Sequence, residues 1–142
     1  MNKNGSGNDE AGLSPGPVCG NIRRVGSEWE QIAGRFLKGK GYRILTFNFR
    51  TRQGEIDLIA MDGDVLVFVE VKYRKNISAG WPQEAVSLKK QRAISHMAGV
   101  YLSMIRASTE QKCRFDVVTI LGEEIRLFQN AFEYQPSGLS WL

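Results

Sequence analysis

The chain has 142 residues, of which 42% are hydrophobic and 24% charged, with a formal net charge of +4. That length suits one domain able to bury about two-thirds of its unfolded surface, and the modest positive excess permits an anionic partner without identifying one. Two distant cysteines (Cys19, Cys113) and one histidine (His96) exclude a disulfide framework and a His-rich metal site, while the lack of a signal-like leader or of an apolar run near ~18 residues points to a reduced cytoplasmic protein with no membrane partner.

Residues 1–21, rich in Gly, Asn, Ser and Pro, predict a disordered tail ahead of a single domain over 22–142. From Ser27 to Lys40, Trp29, Ala33, Phe36 and Leu37 recur at helical spacing, and Gly39 and Gly41 mark the exit. Segment 42–50 (YRILTFNFR) reads as a strand with Tyr42, Ile44, Thr46 and Asn48 on one side and Leu45, Phe47 and Phe49 largely on the other. The turn Arg52-Gln53-Gly54 leads into a second strand, EIDLIAM (55–61). Asp62-Gly63 is a hairpin signal, and VLVFVEVKYR (65–74) returns as the third strand. A loop over 75–83 precedes a long helix from Glu84 to about Ile105, with Val86, Ile94, Met97, Ala98, Tyr101 and Ile105 on one face. RFDVVTI (114–120) and IRLFQ (125–129) supply two more strands. This order predicts an α/β domain, a mixed β-sheet flanked by α-helices.

The anomaly is the charge inside the apolar hairpin: Asp57, Glu70 and Lys72. Side chains alternate along a strand, so Glu70 and Lys72 share a face beside Phe68. With a turn at Asp62-Gly63, Asp57 lies diagonal to Glu70; with a turn at Gly63-Asp64 it faces Glu70 directly. Either way two carboxylates converge, and they repel unless a positive charge lies between them. A hard divalent cation, Mg²⁺ or Mn²⁺, suits such oxygens, and the lysine beside it can reach a bound water or a phosphate oxygen. These parts suit hydrolysis of a phosphodiester in DNA or RNA. The plainer reading is a cross-strand charge pair on a solvated face, nearly neutral in stability.

The Asp of one strand followed by E-x-K on the next resembles the PD-(D/E)-x-K nuclease superfamily, with Ile56 in place of the Pro. More closely, the chain is similar to the YraN family of bacterial proteins from about Val25 to Tyr134. The resemblance is carried by GYRIL (41–45), N-x-R (48–50), GEIDLIA (54–60), VFVEVKYR (67–74), Glu84-Ala85-Val86, Lys90-Gln91-Arg92, RFDVV (114–118) and Asn130-Ala131-Phe132. It implies a restriction endonuclease-like fold and a nuclease-like site. The first helix also resembles the opening helix of archaeal Holliday-junction resolvases, where a Glu approaches the metal; that Glu maps onto Glu30. Ser27 to Glu30 equally spells a capping box, and the two roles compete for one carboxylate.

Around these residues, Arg50 and Arg52 could clamp phosphate bidentately. Arg74, Lys75, Lys89, Lys90 and Arg92 could form a basic rim along a nucleic-acid backbone; a solvated helix face is the commoner meaning of such a cluster. Glu55 could extend the metal site, Trp81 could stack on a base, and Gln91 is a weak candidate for contacts near the metal. Asp116 finds its simplest account in pairing with Arg114. The leading expectation is a metal-dependent nuclease, with a non-catalytic nucleic-acid-binding module and a protein-interaction adaptor as alternatives. A homodimer would suit cutting two strands, and the sequence leaves it open.

Overall fold

A computed structural model describes residues 27–75 and 86–136. The expected tail, Trp81 and the Glu84-Ala85 pair lie outside the described residues. Helix α1 (Glu28–Gly39) is followed by β1 (Arg43–Thr51), β2 (Gly54–Asp62) and β3 (Val65–Arg74), then α2 (Leu88–Met104), β4 (Cys113–Leu121) and β5 (Glu124–Phe128). The five strands form one sheet in the order β1-β2-β3-β4-β5. β3 pairs parallel with β4 and every other pairing is antiparallel. This is the expected α/β fold, a mixed sheet with a helix on each face, in an arrangement consistent with a restriction endonuclease-like fold.

Each helix buries the apolar stripe that its sequence carries. Ala33 and Leu37 of α1 join Leu58, Ala60, Val67, Val69, Val118 and Ile120 on one face of the sheet. Ile94, Met97 and Ala98 of α2 join Ile56, Ile59, Phe68, Phe115 and Val117 on the other. Gly34 lets α1 settle onto β1: a Cβ there would stand 2.6 Å from the Phe47 ring. The first turn of α1 is fixed by a stack of Trp29 on Tyr73, with ring centroids 3.8 Å apart.

Three expectations are corrected. The helix expected from Glu84 starts at Leu88 behind the Ser87 N-cap, so Val86, expected on its buried face, lies ahead of it. The helical spacing puts Ile105 on the buried face of α2, but Ile105 caps the helix C-terminus and is exposed. The simple alternation expected of β1 also fails. Ile44 and Phe47 share the α1-side core, Phe49 lies in the α2-side core and Leu45 is exposed. A register shift between Ile44 and Thr46 leaves Leu45 out of the ladder, and Asn48 adopts a φ of 50°. Each irregularity reverses which side the next residue faces.

Candidate active site

The β2–β3 hairpin closes with Asp62 across from Val65, so the turn residues are Gly63 and Asp64. Of the two registers the sequence left open, this one continues to Asp57 across from Glu70. β3 is regular: Phe68 faces α2 while Val69 and Val71 face α1. Glu70 and Lys72 therefore project together toward α2. Regular pairing between β2 and β3 runs to Leu58–Val69. Beyond it, the Asp57 carboxylate accepts the Val71 backbone N–H at 2.8 Å through Oδ2.

Glu70 is only 6% exposed. Burial first, and the neighbouring Asp57 carboxylate second, push its pKa up to about 7, against the pull of Lys90 and Lys72. Those ammonium groups stand 3.6 Å (Lys72) and 3.7 Å (Lys90) from Oε1 of Glu70. Lys90 enters from the first turn of α2, where Ser87 caps the helix by accepting the Lys90 N–H. The sequence placed Lys90 in an outer rim; the structure puts its ammonium on Glu70. No spacing rule signals a meeting of residues twenty positions apart across a helix and a strand.

Glu30 completes its capping box: the Ser27 N–H donates to Oε2 at 2.9 Å, and the Glu30 N–H donates to Ser27 Oγ at 3.3 Å. Burial raises its pKa, opposed by the Ser27 N–H, and Asp57 and Glu55 raise it further. Glu30 thus caps α1 while lying within electrostatic reach of Asp57. Glu55 is taken by Arg50 at 2.6 Å.

Arg52, Arg74, Lys75, Lys89 and Arg92 are solvent-exposed, and Lys89 and Arg92 lie on the outward side of α2. The Gln91 amide donates to the Val86 carbonyl at 2.9 Å, within its own helix start. Thr119, the register partner of Lys72, is fully buried, and its hydroxyl finds no hydrogen-bond partner among the described residues. Asp116 pairs with Arg114 as the sequence suggested, within a larger buried network.

The donor chemistry fits a hard divalent cation. Two carboxylates are held side by side, one of them desolvated, with compensating cations no closer than 3.6 Å. Among the described residues no group of three or more His, Cys, Asp or Glu side chains converges tightly enough to hold a metal. Asp57 and Glu70 would thus be a two-carboxylate set that leaves other positions to water, backbone or substrate.

The molecule is an α/β domain with an acid–acid–lysine cluster where the central hairpin opens. The family model described as "Uncharacterised protein family UPF0102" matches residues 29–120, and the chain belongs to that family. It is 50% identical over 104 residues to a UPF0102 protein of Lachnoclostridium phytofermentans, covering 73% of this chain and 88% of the relative. It is 51% identical over 115 residues to one of Symbiobacterium thermophilum, covering 78% and 97%. To the UPF0102 protein YraN of Salmonella arizonae it is 41% identical over 123 residues, covering 82% and 94%. Among the described residues no helix is long and apolar enough to cross a membrane.

Proposed function

We propose that this protein is a metal-dependent nuclease that hydrolyses phosphodiester bonds of DNA or RNA. One observation carries the reading: Glu70, at 6% exposure, is held against a second acid, Asp57, which repels its charged form and hydrogen-bonds its protonated form, while two ammonium groups stand off at 3.6 and 3.7 Å. A buried carboxylate selected for stability would be enclosed by donors alone, because a like charge in the same site disfavours its ionised form.

Asp57 and Glu70 would hold Mg²⁺ or Mn²⁺, which when bound supplies a Lewis acid for the phosphoryl group and lowers the pKa of water. With Glu70 so engaged, Lys72 is released to hydrogen-bond a phosphate oxygen or orient the attacking water. Lys90, beside the same carboxylate, would take a second anionic oxygen of the substrate. Glu30, already near Asp57, would assist at the margin of the site while capping α1. Arg50, Arg52, Arg74, Lys89 and Arg92 supply charge for a nucleic-acid backbone.

The test requires no substrate. Thermal unfolding is followed for the wild type and Asp57→Ala with and without Mn²⁺. At about 100 times the dissociation constant, linkage gives about 2.7 kcal/mol of stabilisation, a rise of several degrees. A rise confined to the wild type supports the site and justifies a screen of single-stranded, duplex and branched DNA and RNA with Lys72→Ala as control. An equal response in both proteins overturns the metal site. Salt-sensitive binding without cleavage would instead support a non-catalytic nucleic-acid-binding module, and neither metal nor nucleic-acid binding an adaptor.

A further inference from the structure

We infer that Asn48 is a positioning residue, whose left-handed backbone conformation turns the Asp57 carboxylate into the plane of the sheet and onto β3. The role assigned to Asp57 once it is there rests on the nuclease reading; the positioning itself does not.

The argument starts from two core assignments that a regular pleat forbids. Phe47 and Phe49 are two residues apart on β1 and should face the same way. Phe47 instead packs on the α1 side and Phe49 on the α2 side. On β2, Leu58 and Ile56 divide between the same two cores. Phe47 pairs with Leu58 and Phe49 with Ile56, so both strands reverse at one level, where Asn48 and Asp57 stand across from each other. Asn48 has a φ of 50°, a conformation disfavoured for L-residues and most accessible to Gly and Asn.

The reversal aims Asp57. On a regular β2, Asp57 would stand perpendicular to the sheet on the side of Ile59, facing α2. Its Oδ2 instead accepts the Val71 N–H at 2.8 Å. Backbone N–H groups of a strand point within the sheet toward the neighbouring strand, so the carboxylate lies near that plane, between β2 and β3. The Asn48 amide makes no hydrogen bond to the described residues, which leaves its backbone as the part that acts. β3 needs no such device and stays regular, so Glu70 and Lys72 keep the face their spacing gives them.

The test compares Asn48→Ala with Asn48→Gly. Both lack the amide, and only glycine keeps easy access to positive φ. The readouts are hydrogen exchange of the Val71 amide and the Mn²⁺-dependent thermal shift, with Asp57→Ala setting the floor for each. The expected result is wild-type protection of Val71 in Asn48→Gly, and exchange at least about tenfold faster in Asn48→Ala, accompanied by a smaller Mn²⁺ shift. Wild-type protection in a folded Asn48→Ala overturns the inference. So does loss of protection in Asn48→Gly, which decides alone if the alanine variant does not fold. If no protein responds to Mn²⁺ while Val71 protection follows the expected order, the metal reading fails and the positioning inference stands.

Discussion

Two carboxylates are buried on adjacent central strands, Asp116 on β4 and Glu70 on β3, and their surroundings could hardly differ more. Asp116 is completely inaccessible and completely satisfied. Its Oδ1 accepts from Arg114 Nε at 2.8 Å and from the Asn130 N–H at 2.9 Å; its Oδ2 accepts from the Tyr42 hydroxyl at 2.8 Å and from Arg114 Nη2 at 2.9 Å. Arg114 reaches on to Asp62, and Gln129 donates to Tyr42. The network ties the exit of α1, the end of β2, the start of β4 and the turn after β5 into one unit. Glu70 has a second carboxylate as neighbour and two cations at 3.6 and 3.7 Å. Burial of charge is common to both, so burial does not separate structural from functional acids; completeness of the hydrogen-bond shell does.

The sharpest way to break this comparison is to remove each acid in turn. Asp116→Ala leaves the Arg114 guanidinium partly buried without its main acceptor and frees Tyr42 and Asn130. Loss of one partner of such a pair costs about 3–5 kcal/mol, which urea unfolding would show as a lower midpoint at unchanged slope. A loss below about 1 kcal/mol would mean that the network is closed in geometry but not in energy.

Glu70→Gln should move stability the other way. The folded pKa of Glu70 is raised to about 7 from an ordinary 4.5, so the folded state binds the proton more tightly than the unfolded state. Its contribution to stability is therefore fully present below about pH 4.5 and is lost as pH rises through about 7. At pH 8 without divalent metal the wild type carries that cost, and the glutamine variant should be more stable by up to about 3 kcal/mol. The difference should shrink toward zero at pH 4.5. A glutamine variant that is less stable at pH 8 would show that Lys72 and Lys90 do satisfy Glu70, and the contrast with Asp116 would collapse. The same variant should lose the Mn²⁺ response, so stability and metal binding should change in opposite directions.

The two regions also differ in how much of each the sequence disclosed. Helix α1, the regular strand β3, the shared face of Glu70 and Lys72, and the Arg114–Asp116 pair all follow from local periodicity, which one strand or helix enforces by itself. The direct Asp57–Glu70 register was one of two allowed by Asp62-Gly63-Asp64 and needed the closed hairpin to choose. What escaped depends on departures from the period or on distant pairs. Leu45 leaves the ladder and Asn48 turns left-handed, so the alternation read across 42–50 assigned Phe47 and Phe49 to one face. Tyr42 meets Asp116 across 74 positions of chain and Gln129 meets Tyr42 across 87, and Lys90 reaches Glu70 only because α2 lies over β3. An isolated Asn amid Phe and Arg could have warned of a left-handed residue, since Asn is among the few that tolerate it.

A third carboxylate supplies the smallest effect and the cleanest control. Glu55 pairs with Arg50 at 2.6 Å, but the two side chains are 42% and 47% exposed. Water competes for both charges, so Arg50→Ala should change stability by less than about 0.5 kcal/mol, far below the effect of Asp116→Ala. Under the proposed function, Arg50 also contributes charge to a nucleic-acid backbone. Its removal should then weaken binding evenly across sequences and lower the salt-dependence slope by about 1. Because the fold is scarcely affected, such a change in binding could not be attributed to unfolding. An unchanged slope would confine Arg50 to its pair with Glu55 and shift the search for the backbone-binding face to Lys89 and Arg92 on α2.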